Sequence, residues 1–330
     1  KHLDLDSIPR RLEDLAPKMI GGGLAMAAVG LGGAVVFGGE RLLETYLVSF
    51  AFWLSVAVGG LFFVLLQHCT RAGWSVVVRR VAEAVAANVL LMALLAVPVV
   101  LGMHHLYHWS HAEEVAADPI LAGKAGFLNP GFFTIRIVAY FAIWIVLALF
   151  FWRTSTAQDR SRDPKLTRRM EVLAAPGMVL FALSLNFAAF DLLMSLDPHW
   201  FSTIFGVYYF GGSVVAFCAV MPMLLALLQR AGRLTGAVSV EHYHDFGKLL
   251  FGFNVFWAYI AFSQFMLIWY GNLPEETLWF LKRQSNGWQW VGLGLLFGHF
   301  VLPFLVLISR FVKRRPALLA LFGVWMVAMH

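Results

Sequence analysis

Residues 46–67, YLVSFAFWLSVAVGGLFFVLLQ, carry no charged side chain from end to end. At the helical rise per residue, such a run spans about 30 Å, the thickness of a bilayer's hydrocarbon core. A soluble helix of that length keeps a charged or polar face for water. This one offers only the scattered hydrogen-bonding groups of Tyr46, Ser49, Trp53, Ser55 and Gln67. Read as a membrane-spanning helix, it makes lipid the solvent for the segments around it.

Similar runs recur along the chain. With residues 46–67 as span 2, span 1 lies between Lys18 and Glu40, and span 3 between Glu83 and His104. Span 4 covers about Phe132 to Trp152, span 5 runs from Val172 to Leu193, and span 6 falls within Trp200 to Gln229. Span 7 starts after Lys248 and ends near Tyr270, and span 8 covers about Trp288 to Ile308. A ninth begins at Ala317 and is cut off at His330, too short to cross, so the natural protein is expected to continue. Residues before Lys1 are expected as well, and no signal-peptide cleavage pattern precedes the first span. The expected fold is an all-α polytopic membrane protein of about nine spans. Its divisions are residues 1–45 (N-terminal segment and peripheral span 1), 46–193 (spans 2–5) and 194–330 (spans 6–9).

Composition agrees. The 330 residues are 60% hydrophobic and 13% charged, half the charged share of about 25% usual in soluble domains. The net charge of +6 comes from basic residues between apolar runs, where they act as topology signals rather than as a nucleic-acid footprint. The N-terminus and the 2–3, 4–5, 6–7 and 8–9 loops hold 20 of the 25 Lys and Arg; the opposite loops hold Arg41, Lys124, Arg136, Lys282 and Arg283. By the positive-inside rule the N-terminus is cytoplasmic. The two cysteines, Cys69 and Cys218, form no CxxC, which excludes covalent c-type haem attachment and thiolate-held iron–sulfur or zinc.

Trp109, Trp152, Trp200, Trp269, Tyr270, Trp279, Trp288 and Trp290 fall where interfaces are expected. Glycines on spans 1 and 2, among them Gly59 and Gly60, allow close helix contact. Leu273-Pro274-Glu275-Glu276-Thr277 marks the start of a short interfacial helix.

Ionisable groups inside spans are costly and therefore carry the functional argument. Asp191 and Arg136 lie in the outer thirds of spans 5 and 4 and could pair, either as a neutralising lock between helices or as a proton-exchanging carboxylate beside a cation. His299 lies near the middle of span 8, as a hydrogen-bonded bundle histidine or as a relay. Haem ligation by His299 and His68 is disfavoured because their depths differ. At the inner face, His68, Arg71, Glu83, Glu241, His242, His244 and Asp245 could form a proton-uptake cluster, although Asp245 reads first as a helix cap. His104, His108 and His111 would share a face if helical, a weak metal signal. Asn254, Tyr259, Ser263 and Gln264 step through span 7, as interhelical glue or as the walls of a water chain.

Three segments resemble a known family. Residues 66–84, LQHCTRAGWSVVVRRVAEA, are similar to the cytoplasmic 2–3 loop of the NrfD/polysulfide-reductase membrane subunits. Residues 181–206, FALSLNFAAFDLLMSLDPHWFSTIFG, and 254–277, NVFWAYIAFSQFMLIWYGNLPEET, resemble its ActF branch, from bacterial alternative complex III. The resemblance covers nearly the whole chain but lacks the family's final span. It implies two four-helix bundles, spans 2–5 and 6–9. It also implies a homologous quinol-binding membrane subunit, an iron–sulfur subunit outside the membrane, c-type haem subunits and a terminal oxidase as partners, with lipids around them. Quinol or menaquinol, iron–sulfur clusters and haems would belong to those partners. This chain would be a non-catalytic subunit of a quinol:cytochrome c (or oxidase) oxidoreductase in a bacterial inner membrane. On that reading Asp191 and Arg136 form an outer half of a proton path, and His68, Glu83 and Asp245 an inner half, with Tyr259, Gln264 and His299 as further candidates. The alternatives are an inert scaffold of the same complex and a secondary transporter. Transporters usually break their helices with Gly or Pro at a midplane site, whereas Pro98, Pro176, Pro222 and Pro303 lie toward span ends.

Overall fold

The computed structural model describes residues 40–330, with the isolated positions Gly21 and Ala25. Expected span 1 lies outside the described residues. Among those described, every regular element is helical, and seven helices are long and apolar enough to cross a membrane.

These are α1 (Glu40–Cys69), α2 (Val76–Leu101), α3 (Pro130–Ser161), α4 (Pro164–Leu192), α5 (Phe205–Arg230), α6 (Val240–Gly271) and α8 (Trp288–Leu307). Between α6 and α8 lies α7 (Pro274–Lys282), which starts with proline and two acids as the sequence indicated. The last expected span is α9 (Pro316–Met329), an apolar helix of 14 residues.

Local chemistry sets the ends. The Asn129 side chain accepts the Phe132 N–H at 2.9 Å, and Asp163 accepts that of Lys165 at 2.8 Å; each cap is followed by proline in the first turn. Arg162 and Asn272 stop α3 and α6 in the left-handed region, at φ 55° and 49°. Several helices start earlier than charge counting suggested. α2 begins at Val76, so Glu83 sits inside the helix rather than at its start. α6 begins at Val240, with Ser239 before it, and takes in Lys248. Hydropathy finds where charge is excluded from lipid; a helix extends beyond that wherever its polar first turns reach water.

α1 and α5 lie at the centre and run parallel. Tyr209 donates to the Ala51 carbonyl at 2.7 Å, and farther along both helices the Phe63 and Phe217 rings meet at 5.2 Å. Between these points the backbones close until a Cβ on Gly59 would stand 2.2 Å from the Ser213 carbonyl oxygen, an approach only glycine permits. α2, α3 and α4 pack around α1, and α6 and α9 around α5, with α8 against α6. Phe62 meets Phe181, Phe210 and Phe253, and Phe63 meets Phe246, so aromatic contacts fill the junction between the two groups.

The parallel pairing puts the basic loops on one face. Arg71 pairs with Glu171 at 3.2 Å, Arg80 with Asp159, and Arg314 with Glu241 at 2.6 Å, while Trp74 lies on Phe246. The outward surfaces of the spans are apolar, with Leu94, Leu101, Val138, Leu267 and Leu305 all exposed. Trp269, Tyr270, Trp288 and Trp290 are exposed toward the opposite face, as an interfacial belt requires.

Candidate functional site

One stripe of α3 positions the polar groups buried within the α1–α4 group. Arg136, Tyr140, Trp144, Ala148, Phe151 and Ser155 recur at helical spacing and are all buried. Polar side chains lie at both ends of this stripe and apolar ones in its middle.

At the end away from the basic face, Arg136 meets Asp191 of α4. Arg136 Nε donates to Oδ2 at 2.8 Å and Nη2 to Oδ1 at 2.7 Å. Tyr140, one turn deeper, donates its hydroxyl to Oδ2 at 2.8 Å. The remaining Arg136 nitrogen donates to the Phe127 carbonyl at 2.8 Å, and the guanidinium lies between the Phe127 and Phe132 rings at 3.8 and 4.4 Å. Asp191 is completely buried. A carboxylate there is tolerated because a bidentate guanidinium and a phenol satisfy it. Its own backbone carbonyl accepts from Ser195 at 2.5 Å. Beside Phe127 and Ser195, among the loops at this end, opens a cavity of about 430 Å³, bounded also by Phe190, Met194 and Trp200.

Those loops form a cap. Tyr107 and Trp109 are buried, and donate to the Leu192 carbonyl at 3.0 Å and the Ser195 carbonyl at 3.1 Å. Asp118 caps the helix Pro119–Lys124 by accepting from Ile120 at 2.8 Å, and bonds His199 at 2.5 Å. The His199 hydrogen bond, then the Ile120 amide, hold the Asp118 carboxyl below the usual carboxylate range. Burial lowers the Lys124 ammonium from its ordinary value, and Lys124 donates to the Pro198 carbonyl. A helical face shared by His104, His108 and His111 does not form, although the His104 and His111 rings lie 5.6 Å apart. The helix at Met103–Leu106 ends at an extended Tyr107, His108 and His111 turn to Glu114, and among the described residues no group of three ligands could hold a metal.

Midway along the stripe, Trp144 donates to Ser184 at 2.9 Å. Beyond it Leu147 and Leu65 close over Gly177, and Ala148 and Phe181 are buried, leaving an apolar plug. Between Trp144 and Phe151 this plug is about 10 Å deep at the helical rise.

Toward the basic face the polar groups resume. Glu83 is buried and accepts from Ser155 at 2.5 Å and from Arg80 at 2.8 Å. Arg80 also donates to Ser155 at 2.6 Å and continues to Asp159. His68, buried at the end of α1, stacks on Phe151 at 5.0 Å and meets Arg79 through Nδ1 at 3.5 Å. Its Nε2, the Gln67 Oε1 and the Arg79 Nε have no partner among the described residues. Ser155 and Tyr140 are the contributors that sequence reasoning missed. Their signal is their spacing with Arg136 on α3, visible once its inward face is known.

Other candidates fall elsewhere. Asp245 is not a cap: α6 starts five residues earlier, and Asp245 bonds Lys248 at 2.6 Å on a part-exposed surface, with no hydrogen bond or ion pair to His68 or Glu83 among the described residues. The cap role belongs to Ser239, whose N–H donates to His242 Nδ1 at 3.0 Å. Tyr259 points outward and is 62% exposed, so it lines no internal path among the described residues. Gln264 is buried and accepts from Ser202 at 3.0 Å. His299 is buried in the other helix group, on the face of Trp257.

No protein-family model matches the chain, and no curated protein matches it.

Proposed function

We propose that this chain is a redox-inactive membrane subunit of a respiratory quinol:cytochrome c (or oxidase) oxidoreductase of the alternative complex III type, and that it contributes to proton translocation. The sequence resemblance of residues 66–84, 181–206 and 254–277 to NrfD-like subunits supports the assignment. So does the division of the helices into a group around α1 and a group around α5. On this reading the basic face is cytoplasmic, the membrane is a bacterial inner membrane, and the outer loops meet the iron–sulfur and haem-bearing partners. A homologous subunit supplies the quinol site.

One observation carries the proton role. The Arg136–Asp191–Tyr140 cluster and the Glu83–Ser155–Arg80 cluster lie on one stripe of one helix, separated only by an apolar plug. An inert anchor has no use for two buried carboxylates, each costly to keep inside a membrane domain. Two polar half-paths with a dry barrier allow protons to load from either face while blocking a leak. Hydration of the plug during turnover of the partner subunits would join them.

Isolation from native membranes under mild detergent tests the assignment. The expected result is co-purification with c-type haem and iron–sulfur signals and with quinol oxidation. A chain that purifies alone, with no haem-bearing companion, overturns it and favours the transporter.

A further inference from the structure

A second polar site lies in the α5–α6–α8–α9 group and takes no part in the Arg136–Asp191 network. His299 is 1% exposed and Asn254 0%, yet both imidazole nitrogens of His299 and both amide atoms of Asn254 lack a partner among the described residues. Both lie beside Trp257. Asn254 precedes Trp257 by one turn on the buried side of α6, and the Trp257 indole lies on the His299 ring at 4.1 Å. The His330 ring stands 5.9 Å from that of His299.

The surrounding backbone is shaped for these groups. His299 sits within a π-helical turn, Leu295–Val301, an irregularity that helices keep mainly at functional positions. Trp325 of α9 donates to the Gly298 carbonyl of that turn at 2.9 Å, fixing α9 beside it. A Cβ on Gly212 would stand 2.9 Å from His330 Cε1, so the missing side chain on α5 makes room for the imidazole. On its far side His330 Nε2 lies 3.2 Å from Ser55 Oγ. Ser55 spends its own proton on the Phe52 carbonyl at 2.6 Å, so it accepts from His330. Nε2 is therefore protonated and Nδ1 is left as an acceptor.

We propose that Asn254, His299 and His330 flank a site for ordered water beside Trp257, and that His299 and His330 exchange protons through it. Four buried atoms of two side chains are too costly to leave unmade, and polar atoms in this state are the usual hosts of internal water. In the transfer, the His299 imidazolium gives an N–H proton to the bridging water, which passes one of its own to His330 Nδ1, so that His299 returns to neutral imidazole and His330 becomes the imidazolium. One proton leaves the first ring for each that reaches the second, and positive charge moves with it. Ser55 then connects the pair to α1 and the neighbouring group.

The test is solid-state NMR of the full-length protein in lipid bilayers, with ¹⁵N-labelled histidine and tryptophan and magnetisation transferred from water. Water signal should reach the His299 ring nearly as fast as the exposed His105 ring, and several-fold faster than the buried Trp144 indole. Asn254→Leu should slow transfer to His299 several-fold and leave His68 unchanged. Transfer to His299 as slow as to Trp144 overturns the proposal without needing any variant, as does an Asn254→Leu protein with unaltered transfer. Asp191→Asn should leave the His299 transfer intact, so failure here is distinct from failure of the Arg136–Asp191 route.

Discussion

Arg136 grips both oxygens of Asp191 across two helices, at 2.8 and 2.7 Å, with Asp191 fully buried and the arginine side chain 8% exposed. The pair holds α3 to α4, and it keeps a carboxylate fully buried beneath the loops at that end of the helices. Its charges balance only together.

Breaking the pair from one side is therefore expensive. Asp191→Leu or Arg136→Leu should each destabilise the protein by about 3–5 kcal/mol, because a single buried charge is left behind. The double change Arg136→Leu with Asp191→Leu should cost far less than the sum. Thermal unfolding in detergent with a double-mutant cycle measures this, and additive single effects would show that the two groups are not coupled.

The parallel α1–α5 contact depends on a missing methyl. Gly59→Ala should lower stability by about 1–3 kcal/mol, since the new Cβ meets the Ser213 carbonyl at a distance no rotamer relieves. Gly252→Ala is the control, because nothing lies within 4 Å of its Cβ position. Equal midpoints for the two variants would argue against the observed helix register.

Much of this arrangement was legible in the sequence. Of the nine expected spans, seven fall on helices long and apolar enough to cross a membrane, because a charge inside lipid is too costly to leave ambiguous; span 1 lies outside the described residues, and the ninth is a helix of 14 residues. Asp191 and Arg136 were visible as partners for the same reason. Helix starts were less legible. Glu83 looked like a boundary because it is charged, but its helix begins at Val76 and Ser155 and Arg80 satisfy the carboxylate inside it. Tyr259 could not be oriented, since α6 is apolar on most sides and a lipid-facing surface leaves no amphipathic stripe to read. Asn254 was visible only as a step through span 7, and His330 not at all. Nothing local in sequence brings His330 of α9 to within 5.9 Å of His299 in α8.

Acid should loosen the loop cap around Asp118 before the spans. The folded Asp118 carboxyl titrates below its unfolded value, chiefly through His199. Its stabilising contribution is therefore complete above the ordinary carboxylate value of about 3.9 and is lost as pH falls through the depressed folded value. Hydrogen exchange at Ile120 and Leu121 should stay constant from neutral pH down to that range and rise below it, after correction for intrinsic exchange. Asp118→Ala should show the faster exchange throughout. A variant with unchanged protection would remove Asp118 from the cap.

Ser155 supports the inner carboxylate. Ser155→Ala deletes a hydrogen bond to buried Glu83 and one from Arg80, and should cost about 1.5–3 kcal/mol, as expected for bonds to charged groups. Combined with Glu83→Gln, the serine change should cost less, because the bond to a charged carboxylate is gone while the bond from Arg80 remains. Thermal unfolding of the four proteins decides this, and an undiminished serine effect in the Gln background would place its role elsewhere.

The proton role is tested most directly in the assembled complex, reconstituted into vesicles and supplied with quinol, by counting protons moved per quinol oxidised. Tyr140→Phe and Glu83→Gln, at matched haem content, should each lower the ratio by weakening opposite ends of the same stripe. An unchanged ratio in both, with quinol oxidation intact, would contradict the account and leave this chain as a scaffold.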